Sequence, residues 1–370
     1  MNDIRKPNIL EFCLSSDLGG LELFMLNCYE DFKTKTNCSI IIAPNKKLDN
    51  YIQDNNKSYI KRNKLFPIIP AIKLAKFIDN NNIDIVHFHW TKDITTIVLA
   101  KKLSKKKFQI IQTRNMTMTR FKSDFYHKWL YKNIHTMHAV TYQVKDQLIK
   151  FIPSDIRPNI NVIYMGTKEK EIKKEEISIL KQKYNLNNEF IVGIVGRIED
   201  GKGQYLVIEA IDILNKTVKN INMKAIIVGH TMDEEYLNNI KQKVKTLDIE
   251  DKVIFTGFTK DVDAHMHIFD CNILATPKET FGLVVIEAMI NKVCMIATNN
   301  GGPLEIINNN KDGLLFNRTS NDLADKIKLL YNNKEYKDTL SLAGYNKAKK
   351  IFNKDIQNNK LYKMIEGINI

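Results

Sequence analysis

The chain has 370 residues, more than one hydrophobic core usually organises, so two domains are the default reading. It carries 56 Lys and Arg against 42 Asp and Glu, a net +14; residues 1–170 hold 28 basic and 15 acidic side chains, a net +13, leaving +1 for the rest. The sequence shows no 18-residue apolar run and no cleavable leader, which argues against a transmembrane span and a signal peptide, and its basic half lacks any helix-turn-helix, zinc or aromatic RNA-binding signature, which argues against nucleic acid.

In chain order, short apolar runs alternate with amphipathic helical patterns. Strands are predicted at residues 9–14, 39–42, 84–88, 109–113, 139–140 and 161–164. A charged, apolar-poor stretch at 168–176 follows, and then a second series at 191–195, 224–228, 252–255, 272–275 and 293–297. The alternation predicts an α/β fold of two doubly wound parallel sheets, with a boundary near Gly166 and the binding loops at the strand C-termini facing a shared cleft. The five cysteines, Cys13, Cys28, Cys38, Cys271 and Cys294, lack C-x-x-C spacing and read as buried free thiols in a reducing cytoplasm.

The most informative run is Thr276-Pro-Lys-Glu-Thr-Phe-Gly-Leu-Val-Val-Ile-Glu-Ala-Met289. A strand ends before Pro277, and a helix is predicted to start near Phe281 and Gly282. Its first amides, Phe281, Gly282, Leu283 and Val284, point into the preceding loop and favour an anion such as a diphosphate. Glu279 and Glu287 flank them roughly 10 Å apart, too far to share a proton and suited to gripping two parts of one elongated ligand. Glu279 reads as a hydroxyl acceptor for a sugar, Glu287 for a ribose. Either carboxylate taken alone also fits dipole stabilisation or a solvated helix face.

Upstream, Gly196-Arg-Ile-Glu-Asp-Gly-Lys-Gly203 follows a strand and matches a P-loop until its last position, where Gly203 replaces the Ser or Thr that would ligate magnesium. It reads instead as a turn exposing Arg197 and Lys202 to a diphosphate. His87 and His89 end a strand at i and i+2, facing one side; no third ligand is spaced to suggest zinc. Asp261-Val-Asp263 imitates a metal-binding pair, but its place before a helix makes capping the simpler role.

Together the two-glutamate run, the Gly196-Arg197 and Lys202-Gly203 elements, Asn300-Gly-Gly-Pro-Leu-Glu-Ile-Ile307, Asp312-Gly-Leu-Leu-Phe316 and the glycine loop Asp17-Leu-Gly-Gly-Leu-Glu22 resemble family four retaining glycosyltransferases of the GT-B fold. The order and spacing hold over nearly the whole chain. The resemblance implies an acceptor-binding domain at residues 1–166, a nucleotide-sugar domain at 167–350 and a helix at 351–370 packing back on the first. It implies Arg197, Lys202 and Glu279 as catalytic. Gly19, Gly20, Gly196, Phe281 to Val284 and Glu287 would bind the donor, and His87, Asn115 and His127 are possible sugar or acceptor contacts. Many relatives carry histidine near Asn115; asparagine can hydrogen-bond a hydroxyl but cannot titrate near neutral pH.

The expected function is retaining transfer of a hexose-type sugar from a UDP- or GDP-sugar to a hydroxyl of a glycan or lipid-linked cell-envelope acceptor in a bacterial cell. No cofactor or metal is expected. The expected location is cytoplasmic and possible docking on an anionic membrane would use the basic half, where Lys105, Lys106 and Lys107 and a helix bearing Phe121, Phe125 and Trp129 stand out. The alternatives are a non-catalytic nucleotide-sugar-binding partner and a sugar-nucleotide epimerase of the same architecture.

Overall fold

A computed structural model describes residues 5–368 except 55 and 64. It divides into two compact units, Met1–Tyr164 with Gln357–Ile370, and Met165–Ile356. Each is built on one all-parallel sheet.

The first unit holds β1 (Ile9–Cys13), β2 (Cys38–Ile42), β3 (Lys57–Tyr59), β4 (Ile85–Phe88), β5 (Gln109–Arg114), β6 (Thr136–Ala139) and β7 (Asn159–Val162) in the order β3-β2-β1-β4-β5-β6-β7. The second holds β8 (Phe190–Val195), β9 (Met223–Val228), β10 (Val253–Gly257), β11 (Cys271–Leu274), β12 (Cys294–Thr298) and β13 (Leu314–Phe316) in the order β10-β9-β8-β11-β12-β13. Central strands such as β1, β4, β11 and β12 are buried throughout, as expected of a parallel sheet covered on both faces by crossover helices. In both sheets the order reverses beside the first strand, the topological switch at which such folds place their binding loops.

The chain divides between Tyr164 and Met165, two residues from the predicted boundary, and the final helix, Lys354–Glu366, runs from one unit into the other. The predicted strands are present with shifted ends. The three-residue β3 was not predicted, and β13 was seen only as a motif. Asparagine, which the sequence uses heavily, has a structural use: Asn45, Asn82, Asn185, Asn220 and Asn310 all adopt positive φ at turns, a conformation asparagine tolerates better than most residues.

Four of the five cysteines are buried, Cys38 is half-buried, and all are free thiols. No helix among the described residues is long and apolar enough to cross a membrane.

Candidate active site

In the second unit, three glycine contacts bring the sequence-distant motifs together. Gly203, at φ 75°, follows Lys202; a Cβ there would lie 2.8 Å from the Ala275 side chain and 2.9 Å from its carbonyl oxygen, so only glycine lets the β8 turn close against the end of β11. This approach sets Lys202 Nζ 3.8 Å from Glu279 Oε2. Gln204 Nε2 locks the turn by donating to the Arg197 carbonyl at 2.8 Å. Arg197 projects into solvent and pairs loosely with Glu199 at 3.3 Å.

The loop carrying Glu279 is clamped from the other side by Asn300-Gly-Gly. Gly302 N donates to the Glu279 carbonyl at 2.9 Å, and Asn300 Nδ2 donates to Pro277 O at 2.8 Å. A Cβ on Gly301 would fall 2.3 Å from Glu279 O. Gly282, at φ 95°, then turns the chain into the helix Leu283–Ile290, whose first amides have no upstream carbonyl. The result is a cation, a carboxylate and a helix start converging at the C-terminal ends of β8 and β11.

Glu287 lies on that helix and is half-buried. Its carboxyl makes no hydrogen bond among the described residues. Desolvation first, then the nearby Asp263 carboxylate, push its pKa up to about 7, with Lys170 opposing. A crowded carboxylate of this kind marks a candidate functional position. The sign follows: a folded-state pKa above the ordinary glutamate value destabilises the fold as pH rises from ~4.5 through 7. Glu287→Gln is therefore expected to stabilise the ligand-free protein by about 1–2 kcal/mol at pH 8, discounted for residual exposure, with the gain vanishing near pH 5. Calorimetric melting at the two pH values checks this; an unchanged or lowered Tm at pH 8 would contradict it.

Asp261 does not cap its helix. No side-chain bond reaches the first turn of Val262–Met266, and Asp261 instead accepts His265 Nδ1 through its carbonyl. Asp263 pairs with Lys170 and accepts from Asn291 Nδ2 at 3.1 Å, so its carboxylate is already engaged. The sequence reading missed Arg318, just beyond β13. Its Nε donates to Ala275 O at 2.9 Å and its guanidinium covers the Tyr205 ring, adding a second cation to the wall at the β11 terminus.

In the first unit, Gly19 and Gly20 start the helix Gly20–Phe32, and the Glu22 carboxylate accepts the Gly19 amide at 3.0 Å. His87 cannot touch an acceptor. It is fully buried, with Nδ1 on Glu11 Oε1 at 2.7 Å and Nε2 on Thr113 Oγ1 at 2.7 Å. Its face of the sheet is covered by the helix bearing Phe24 and Phe32, which pack on His89, His138 and His87. His89 Nε2 takes the other Glu11 oxygen at 2.8 Å, and Thr113 Oγ1 continues to His138 Nδ1 at 3.0 Å. A buried polar chain thus crosses β1, β4, β5 and β6. Desolvation holds His89 down to about 4 and His138 to about 3, so both are neutral at pH 7. Burial alone would raise Glu11, but the charge and hydrogen bonds of His87, then those of His89, hold it below the ordinary range.

Glu11, Cys28, His87 and His89 place ligand-type atoms within 4.8 Å of one another, a convergence that sequence spacing could not show because Glu11 and Cys28 come from other elements. The Glu11 oxygens and three of the four imidazole nitrogens are engaged in hydrogen bonds within the network. Asn115 has both amide atoms buried with no hydrogen-bond partner among the described residues. His127 sits on the helix Phe125–Tyr131, with Nδ1 on Asp124 and Nε2 3.4 Å from Lys122 Nζ.

Residues 176–347 match the family model of glycosyl transferases group 1, and residues 11–150 match the glycosyl transferase 4-like model. The chain belongs to the group 1 glycosyltransferases. Among curated relatives in this family is N-acetyl-alpha-D-glucosaminyl L-malate synthase of Bacillus anthracis, 29% identical over 66% of this chain and 64% of the relative. Another is mannosylfructose-phosphate synthase of Agrobacterium fabrum, 26% identical over 51% of this chain and 43% of the relative. The matches therefore span less than two thirds of these relatives' own lengths. Among solved structures, Anabaena HepE in complex with UDP aligns at TM-score 0.85 with 18% identity, covering 98% of this chain and 100% of that one. A glycosyltransferase from Rickettsia africae aligns at 0.84 with 24% identity over 98% and 100%. At these identities the likeness establishes the GT-B fold.

Proposed function

We propose that the protein is a retaining glycosyltransferase that moves a hexose-type sugar from a UDP- or GDP-sugar to a hydroxyl of a lipid-linked or other cell-envelope glycan. The observation that carries this reading is the approach of Lys202 to Glu279 beside the amides of Leu283 and Val284, with Arg197 on the same turn. When the nucleotide departs, negative charge grows on the diphosphate. Two cations and a helix start stabilise that charge without reorganising, which is where such a barrier is lowered most. The departing phosphate then takes the acceptor's proton on the face it leaves; no protein nucleophile is assigned. This scheme uses positive side chains where other transferases use a metal. The UDP in the HepE complex agrees with a uridine donor.

Glu279 is assigned to the sugar and Glu287 to the ribose. Donor hydrolysis with product analysis tests the reaction: free nucleotide and sugar support a transferase, intact isomerised donor an epimerase, and no turnover a binding partner. The unpartnered Asn115, which cannot act as acid or base, is what favours the last of these. Calorimetry separates the glutamates. Glu279→Ala is expected to weaken the intact donor while sparing free nucleotide, and Glu287→Ala to weaken both; equal effects would overturn the assignment.

The apolar surface of the first unit supports peripheral docking on an anionic membrane, though not with the residues the sequence suggested together. Lys105 to Lys107 precede β5, whereas Phe121 and Phe125 follow it, so the strand separates them by roughly 20 Å. Phe125 is 88% exposed, and Leu65 and Phe66 are 84% and 60% exposed. In sequence, Arg120 and Lys128 bracket Phe121 and Phe125. In liposome sedimentation, binding is expected to require anionic lipid and to weaken with salt. It should fall with Phe66→Ser or Phe125→Ser and change little with Lys105 to Lys107 replaced by Gln. Equal partitioning to neutral vesicles would sink charge-driven docking.

A further inference from the structure

The first unit contains a cavity of about 330 Å³ between Arg62, Asn63 and Pro67, the turn Thr91–Asp93 and the helix Phe125–Tyr131. Its charge is unbalanced. Arg62, Lys92 and Lys122 all line it, with His127, and none of the described lining residues is acidic. Arg62 and Lys92 are both held over the Trp90 indole, 4.7 and 5.2 Å from its centroid, so two like charges share one ring. Behind the wall, Arg114 is half-buried and bonds Thr91 Oγ1 and the Thr117 carbonyl, neither of them a carboxylate. Two carboxylates outside the lining interact with these cations, Asp124 with Lys122 and Asp93 with Arg62, which leaves three basic side chains against two carboxylates that are partly engaged elsewhere. Asp124 is engaged by the His127 ring and amide, and Asp93, which lies outside the cavity, accepts the Leu14 amide.

Like charges gathered in a concave site raise the local potential and are tolerated where an anion completes them. Hydroxyls of Thr91 and Tyr131, and one of the mutually bonded pair Thr95 and Tyr126, add neutral donors around the same space, and the volume suits a phosphate or diphosphate with part of a sugar. We infer that this cavity holds the phosphate or diphosphate group of the acceptor, so that the hydroxyl-bearing substrate is a phosphorylated molecule gripped by Arg62, Lys92 and Lys122. The assignment of this group to the acceptor rests on the transferase reading; the anion site itself does not.

The test is a calorimetric titration of the full chain with inorganic pyrophosphate and with farnesyl diphosphate, in the absence and presence of saturating UDP. Pyrophosphate is expected to bind the UDP-saturated protein, to weaken by about tenfold or more with Arg62→Gln or Lys122→Gln, and to be unaffected by Lys202→Ala. Absence of binding would overturn the site, as would binding that UDP displaces or that the Arg62 and Lys122 variants leave unchanged. Farnesyl diphosphate binding more tightly than pyrophosphate, with the gain lost in Phe66→Ser, supports a lipid-carried phosphate; equal affinity supports a soluble one. Failure of the donor reading would register separately, as absent UDP binding with pyrophosphate binding intact.

Discussion

Lys202→Ala is expected to lower kcat/KM by about 2–4 kcal/mol in transition-state stabilisation, the range for removing one preorganised donor from a developing charge. Lys202 is the cation that the Gly203 turn pins beside Glu279 at 3.8 Å. Because the diphosphate gains charge only as the sugar leaves, most of the loss should appear in kcat, with donor affinity falling less. Arg197 is more exposed and its partner is a surface glutamate, so Arg197→Ala should cost less than Lys202→Ala. Steady-state kinetics of both variants with one nucleotide-sugar checks the order. Wild-type turnover by Lys202→Ala would remove it from the site and leave the fold assignment untouched.

The donor motif was legible in the sequence because its chemistry is local: Glu279, the Gly282 turn and Glu287 occupy one strand-loop-helix junction. Gly301 and Gly302 looked like a distant motif, and the structure gives their physical reason, a backbone approach to Glu279 and Phe281 that any side chain would block. What the sequence hid depends on long-range contact. The i and i+2 spacing of His87 and His89 correctly put both rings on one face, but nothing local shows that a helix covers that face or that Glu11, 76 residues before His87, waits beneath it. The cationic cavity was hidden in the same way, since Arg62, Lys92 and Lys122 lie on three separate segments. β3 has three half-exposed or exposed residues at a sheet edge, too few for a period-two signal. Phe125 was open in the sequence, since an aromatic on a short helix suits a core position as well as a surface one, and the fold leaves it in solvent.

Glu11→Leu is expected to destabilise the first unit by about 3–5 kcal/mol, the cost of breaking a buried charged network by removing one member. The substitution preserves volume but strips His87 and His89 of the acceptor they share, inside a sheet with no water to replace it. Glu11→Gln keeps one acceptor oxygen and should cost less. The pH dependence distinguishes this from simple misfit in the core. Since the folded-state pKa of Glu11 is held below its ordinary value, its contribution is fully present above ~4.5 and is lost as pH falls through the depressed value. The gap between wild type and Glu11→Leu should therefore be constant from pH 8 to 6 and narrow only in stronger acid. Urea denaturation followed by Trp fluorescence reports on this unit, because Trp90 and Trp129 both lie within it. A loss under about 1 kcal/mol would show that the histidines find other partners and that the polar chain across β1, β4, β5 and β6 does not hold the sheet together.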